Sequence, residues 1–281
     1  MTRRRLLAVD LSNQLYRASA AHSRLTSGDT FTGGLYGLLV SVASAITRVG
    51  ATDIVFCRDS KPYVRSLAYP QYKAFRKTTQ DPELKRLFNE SEDLVNEMIA
   101  RFGIPAWHLP GFESDDLIGH AVRMNGWRYE IIVAMSNDAD LFQLCDHPRF
   151  KIWKDAKQGL LGAEYLAKKF NLTPAEYVKA LALSGTHNEI EGLPGIAEVR
   201  SAQIVNDPAK WRSYFNKHRE MIERNISLIQ LPHPDLTRGG PVNIPTVERG
   251  VFSLRSLYRF AGVYEIDITP MIANAFEQVL L

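Results

Sequence analysis

Apolar residues follow two rhythms along this chain, and the rhythm changes near residue 162. Before that point, short solid apolar runs alternate with longer stretches of helical spacing. Leu6 to Val9 is an unbroken apolar run closed by Asp10, which predicts a short buried strand. Gly33 to Val49 repeats apolar positions at helical spacing and meets Gly50, which predicts a helix and its stop. Asp53 to Cys57 predicts a second buried strand, with Asp59 just past it. Residues 82–102 predict a charged amphipathic helix, Ile104 to Leu109 a third, short strand, and Ser114 to Met124 a helix that opens with acids. Tyr129 to Met135 predicts a fourth strand, followed by Ser136-Asn137-Asp138-Ala139-Asp140 and a helical turn. Strands alternating with helices imply an α/β core built on a mostly parallel sheet. Beyond it, Gly162 to Phe170 and Pro174 to Leu183 predict helices, and more follow. A Pro/Gly-rich stretch from Pro232 to Pro245 predicts a long loop between helical parts. The expected organisation is a core over 1–161 and a helical region over 162–281 packed on it.

Composition narrows the class without choosing a function. A chain of 281 residues with 45% hydrophobic and 23% charged residues suits a globular protein with a sizeable core. The formal net charge of +3 does not by itself ask for nucleic acid, so any such argument must rest on local clustering. Two cysteines, Cys57 and Cys145, form no CxxC pair, which argues against zinc fingers and disulfide scaffolds and fits a reducing cytoplasm. The apolar run after Arg3-Arg4-Arg5 is shorter than the roughly 7–15 residues of a secretory core. No run approaches the ~20 apolar residues of a membrane span.

The acids change the picture. Asp10, Asp59, Asp138 and Asp140 all lie just past the carboxyl ends of predicted strands, where open parallel sheets bind ligands. Glu113, Asp115 and Asp116 open a predicted helix, with Glu113 and Asp116 spaced to share one face. An acid at a helix start is often only a cap, and Asp59 alone is an ordinary loop acid. Acids at several strand ends together are much harder to explain that way. So many carboxylates in one crevice need a cation. All-oxygen ligation favours Mg²⁺ or Mn²⁺, and two such ions suit phosphodiester hydrolysis.

Residues 60–80 carry Lys61, Arg65, Lys73, Arg76 and Lys77 with no acid, interleaved with Tyr63, Tyr69, Tyr72 and Phe75. Cations that track phosphates and rings that stack on bases suit a single strand of nucleic acid; the bland alternative is a solvated loop with its aromatics in the core. Arg17 is a further candidate phosphate contact. Gly192-Leu193-Pro194-Gly195-Ile196 before a helix looks like a helix-hairpin-helix turn. Its backbone suits a phosphate, and Arg200 adds charge. A GxxG turn can equally join two packed helices.

The segments AVDLSNQLYR, CRDSKPYVR, YPQYKAFRK, GFESDDLIG, SNDADLFQL and EGLPGIAEVRSAQIV stand in this order over roughly residues 5–230. Together they resemble the flap endonuclease/5′-3′ exonuclease family, including the nuclease domain of bacterial family A DNA polymerases. The resemblance implies a PIN-like sheet with a metal crevice, a helical arch over about 73–102, and a C-terminal helical region whose hairpin grips duplex DNA. It implies that Asp10, Asp59, Glu113, Asp115 and Asp116 serve the first metal and Asp138 and Asp140 the second. Lys73 and Arg76 would meet the scissile phosphate at the arch base, Arg17 would contact DNA and Tyr72 would stack on a base. Arg65, Lys77, Gly192, Gly195, Ile196 and Arg200 are the remaining expected DNA contacts. The resemblance also implies a place for a potassium ion in the hairpin turn, as relatives often have.

One departure stands out. The Gly-Asp-x-x-Asp-Asn-type segment of the family reads Gly185-Thr186-His187-Asn188-Glu189-Ile190-Glu191 here, with neither aspartate. That leaves the second metal weakened, or Glu189 or His187 as a substitute ligand. The expectation is therefore a monomeric structure-specific 5′ nuclease. Its substrates would be 5′ flaps, 5′ ends and RNA–DNA hybrids, and a DNA polymerase is a candidate partner. The alternatives are a flap-binding protein with little catalysis and a PIN-like ribonuclease.

Overall fold

The structure is a computed structural model that describes residues 4–73, 81–186, 190–238 and 251–281. A six-stranded sheet organises it. The strands are β1 (Arg5–Asp10), β2 (Asp53–Cys57), β3 (Ala106–Trp107), β4 (Ile131–Met135), β5 (Phe150–Trp153) and β6 (Leu160–Leu161). Their spatial order is β3-β2-β1-β4-β5-β6, with β6 antiparallel to β5 and the other pairs parallel. The chain thus steps outward from β1 in one direction and returns to β1's other edge through β4. That reversal opens a crevice at the carboxyl ends of β1 and β4. Leu7, Ala8 and Val9 are fully buried because both faces of β1 are covered, which explains their unbroken apolar run.

Helices α1 (Leu11–Ala21), α2 (Gly33–Val49) and α4 (Pro82–Phe102) cover one face. Gly50 and Gly103 end α2 and α4 in the left-handed conformation, at φ 65° and 60°, which favours glycine. Helix α4 starts from Asp81, whose carboxylate caps the Glu83 N–H, with Pro82 in the first turn. Helix α3 (Val64–Ala68) follows β2, and α5 (Ser114–Asn125) covers the other face.

The helical residues beyond 161 divide between the two faces. Helices α6 (Ala163–Phe170), α7 (Pro174–Ser184), α8 (Glu198–Val205), α9 (Pro208–Lys217) and α10 (Arg219–Ile229) extend the α5 side. After α11 (Pro234–Arg238), α12 (Leu254–Val263) and α13 (Pro270–Leu280) pack on the α2 and α4 side. There Phe102 meets Phe252 and Phe260 edge-on at 5.9 and 5.4 Å. Among the described residues no helix is long and apolar enough to cross a membrane.

Two expectations change. The strand predicted over Ile104 to Leu109 pairs only at Ala106 and Trp107, because Pro105 has no N–H to give and Pro110 closes the run. The predicted loop from Pro232 contains the short helix α11, and residues 239–250 lie outside the described residues.

Candidate active site

The acids at the strand ends meet through two serines. Asp10 closes β1 and caps α1, with its Oδ1 accepting from the Asn13 N–H at 3.3 Å. The same oxygen accepts from Ser114 Oγ at 2.9 Å, and Oδ2 from Ser136 Oγ at 2.8 Å. The Ser114 N–H donates to Asp59 Oδ1 at 2.9 Å, so the first residue of α5 holds the acids of β1 and β2 together. Ser136 also accepts from the Asp138 N–H at 3.0 Å, and Asp138 Oδ1 accepts from the Asp140 N–H at 2.8 Å. Neither serine was singled out as a site residue. Both stand inside the quoted motifs, but a hydroxyl's partners depend on the fold.

These carboxylates repel each other. Burial and then the Asp59 charge push Asp10 up to about 7, against the hydrogen bonds from Ser136 and Ser114. Burial, then Asp10 and Asp138, push Asp115 well above the usual carboxylate range. Asp140 is raised likewise by burial and Asp138. Asp115 Oδ1 is buried and has no hydrogen-bond partner among the described residues. A buried carboxylate oxygen left unpaired among like charges is a position a cation would relieve. The donors are all hard oxygens at this point, so the residues present fit Mg²⁺ or Mn²⁺. Among the described residues, no three His, Cys, Asp or Glu side chains already converge as a finished ligand set. Like charges would have to draw together around an ion, and without one they have reason to stay apart.

Glu113 and Asp116 belong to a different arrangement in this structure, built around Arg65. Arg65 is 2% exposed. Its Nη1 meets Glu113 Oε2 at 3.0 Å and Asp116 Oδ2 at 2.5 Å, and its Nη2 meets Asp116 Oδ1 at 2.8 Å. Arg65 is therefore a buried internal counterion in this structure. Asp116 is fully buried and also accepts from the N–H groups of His233 and Glu113, at 2.8 and 3.2 Å. Glu113 accepts from Arg65, from Tyr72 Oη at 2.8 Å and from Lys73 Nζ. Burial alone would raise Glu113, but Lys73 and Arg65 hold it below the usual range. Tyr72 is buried with its hydroxyl on Glu113, so its ring is not presented to a base.

Lys73 lies at φ 57°, over the rings of Tyr63 and Tyr72 at 5.3 Å each. A crevice of about 290 Å³, counting its space open to solvent, is lined by Arg65, Tyr72, Glu113, Asp115 and Asp140 and by apolar residues of the helical region. Arg76, Lys77 and Glu189 lie outside the described residues. Arg17 is exposed on α1. Asp155 is held below its usual range first by the Gln158 N–H, with Arg17 a lesser cause.

The glycine turn follows a two-stranded hairpin (Gly185–Thr186 with Ile190–Glu191) and leads into α8. A Cβ on Gly192 would stand 2.1 Å from the Ser184 carbonyl carbon, so no larger residue fits. Gly195 lies at φ 73° with open space where a Cβ would be. The Ile196 side chain is buried and its N–H is bonded to the Leu193 carbonyl at 3.0 Å, inside the turn. Arg200 is exposed beside the turn.

A mostly parallel α/β sheet with acids crowded at its carboxyl edge defines the class. Residues 5–171 match the family described as "5′-3′ exonuclease, N-terminal resolvase-like domain", and the chain belongs to that family. Among individual relatives it is similar to DNA polymerase I of Bacillus caldotenax, 30% identical over 210 residues, covering 72% of this chain and 23% of the polymerase. DNA polymerase I of Thermus thermophilus is 29% identical over 228 residues, covering 80% and 26%. The chain thus spans about a quarter of the length of these polymerases. Among solved structures, the fold is similar to bacteriophage T5 5′-exonuclease with divalent metal ions (zinc) bound, at TM-score 0.66 and 19% identity, covering 82% of this chain and 90% of that one. It is also similar to the catalytic core of Rad2 in complex with DNA substrate, at TM-score 0.59 and 15% identity, covering 98% and 92%.

Proposed function

We propose that this chain is a divalent-metal-dependent 5′ nuclease that hydrolyses phosphodiester bonds in branched or 5′-ended DNA. One observation carries the reading. Asp10, Asp59, Asp115, Asp138 and Asp140 come from separate stretches of chain and share one field, with Asp10, Asp115 and Asp140 all pushed up. A fold that tolerates such repulsion without a cation gains from binding one. When bound, Mg²⁺ or Mn²⁺ would supply Lewis-acid activation of water and of the phosphate.

The chain's own residues do the rest. Ser114 and Ser136 orient the two Asp10 oxygens and bring Asp59 and Asp138 to the same crevice. Lys73 and Arg76 are assigned to the scissile phosphate. Lys73 is now on Glu113, and an incoming phosphate would compete for it. Arg17, Lys77 and Arg200, with the backbone of Gly192 and Gly195, are assigned to DNA held without reading its sequence. The turn carbonyls would also be the place for a potassium ion. The polymerase relatives support a DNA polymerase as partner and replication or repair as setting.

The segment Gly185–Glu191, which lacks the family's aspartates, favours a second reading, a flap-binding protein with little catalysis. A 5′-flap duplex incubated with the protein and Mg²⁺ or Mn²⁺ separates the two. Metal-dependent release of the flap supports the nuclease, and tight binding without product supports the second reading.

A further inference from the structure

Gln143 lies in the 3-10 turn Asp140–Asp146 and is buried. Its amide is fully engaged on both sides. Nε2 donates to the carbonyls of Asp140 at 2.9 Å and Ile229 at 3.0 Å, and Oε1 accepts the Leu231 N–H at 2.8 Å. Ile229 ends α10, and Leu231 lies in the connector to α11.

The same connector is gripped from two other sides. Arg65 donates to the carbonyls of Leu228 at 2.7 Å and Gln230 at 3.1 Å. Asp116 accepts the His233 N–H at 2.8 Å. Residues 228–233 therefore act as a common backstop for the segment after β2, the start of α5 and the turn after β4, and each of these bears site acids. Gln143 is the polar tie of the last. The N–H groups of Asp138 and Asp140 bond within their own segment, to Ser136 Oγ and Asp138 Oδ1. A 3-10 turn has poorer hydrogen-bond geometry than an α-helix, so its direction depends on outside partners.

We propose that Gln143 is a positioning residue for Asp138 and Asp140, fixing their turn against the 228–233 connector so that both carboxylates can serve a divalent cation. This rests on reading those acids as cation ligands. The residue type follows from the partners, since two carbonyls and one N–H require a side chain that both donates and accepts. Methionine keeps the shape and makes none of the three bonds. Glutamate keeps the acceptor and sets a carboxylate against two carbonyls.

The test is Mn²⁺ binding to metal-stripped protein, measured by calorimetry for the wild type, Gln143→Met and Gln143→Glu. Leu166→Ala, which opens a cavity in the core of α6, serves as a control for general loosening. Both Gln143 variants are expected to lose about 10- to 100-fold in Mn²⁺ affinity, as other outer-shell partners do. Leu166→Ala should lower Tm at least as much and leave the affinity where it was. Folded Gln143→Met with wild-type affinity, or a loss matched by Leu166→Ala, overturns the proposal. Wild-type protein that takes up no Mn²⁺ overturns it together with its premise. Wild-type protein that binds Mn²⁺ without cutting a flap sinks the nuclease reading alone, because the positioning role is still read from binding.

Discussion

At the residue scale, seven acids that look alike in sequence divide into two jobs. Asp10, Asp59, Asp115, Asp138 and Asp140 crowd together, while Glu113 and Asp116 hold Arg65. Asp10, Asp59, Asp138 and Asp140 stand out in sequence as acids just past apolar runs, whereas Asp115 opens a helix beside Glu113 and Asp116 and is not told apart from them by any local pattern. The tie to Arg65 was not legible, because Arg65 and Asp116 are 51 positions apart and only the fold makes them partners. Asp115→Asn removes one repelling charge and one ion ligand. It is expected to slow flap cleavage by about 10²–10³-fold, the scale of several kcal/mol of metal stabilisation, with flap affinity retained in a gel-shift assay. Arg65→Met leaves buried Asp116 without its cation and Glu113 with Lys73 alone, and should cost about 3–5 kcal/mol in urea unfolding. Acidity gives a signed prediction. Asp10 rises from 3.8 to about 7 on folding, so the folded state holds its proton longer. Its contribution to the stability of metal-free protein is full below pH 3.8 and falls away as pH climbs through about 7. Asp115 and Asp140 shift in the same direction. Calorimetric scans should therefore show Mn²⁺ raising Tm more at pH 8 than at pH 5, where protons compete for the ligands.

At the element scale, the stops were the clearest signals. Gly50 and Gly103 close α2 and α4 in a conformation that favours glycine, and the acids that open α5 are where the sequence put them. Elements with mixed or brief patterns were harder. Helix α1 begins Leu-Ser-Asn-Gln, and β5 has only four residues, one of them Lys151, so neither presents a long apolar rhythm. The strand expected over Ile104 to Leu109 shortens to Ala106–Trp107 because Pro105 within it and Pro110 after it weigh more than its apolar content. The turn at Gly192 is an element-scale test of the DNA-grip assignment. Gly192→Ala would drive a methyl into the Ser184 backbone. It should cost about 1–3 kcal/mol and weaken duplex binding in a gel-shift assay, while the cleavage of very short 5′-ended strands changes less.

At the scale of the whole molecule, the helical half does not form one block. Part of it faces α5, and α12 and α13 cross to the α2 and α4 side, which no local pattern announces. The sheet order, with its reversal between β1 and β4, places Asp10, Asp59 and Asp138 at the carboxyl ends of neighbouring strands. DNA held there by scattered cations should bind with a steep salt dependence, its affinity falling as salt rises because counterions are released from the phosphates. The proposed divalent-metal nuclease centre in the crevice is tested most directly by the initial rate of 5′-flap cleavage as Mn²⁺ is titrated into metal-stripped wild-type protein. A rate that is nil without metal and climbs to saturation is the predicted result. Cleavage at full rate in excess chelator would contradict it.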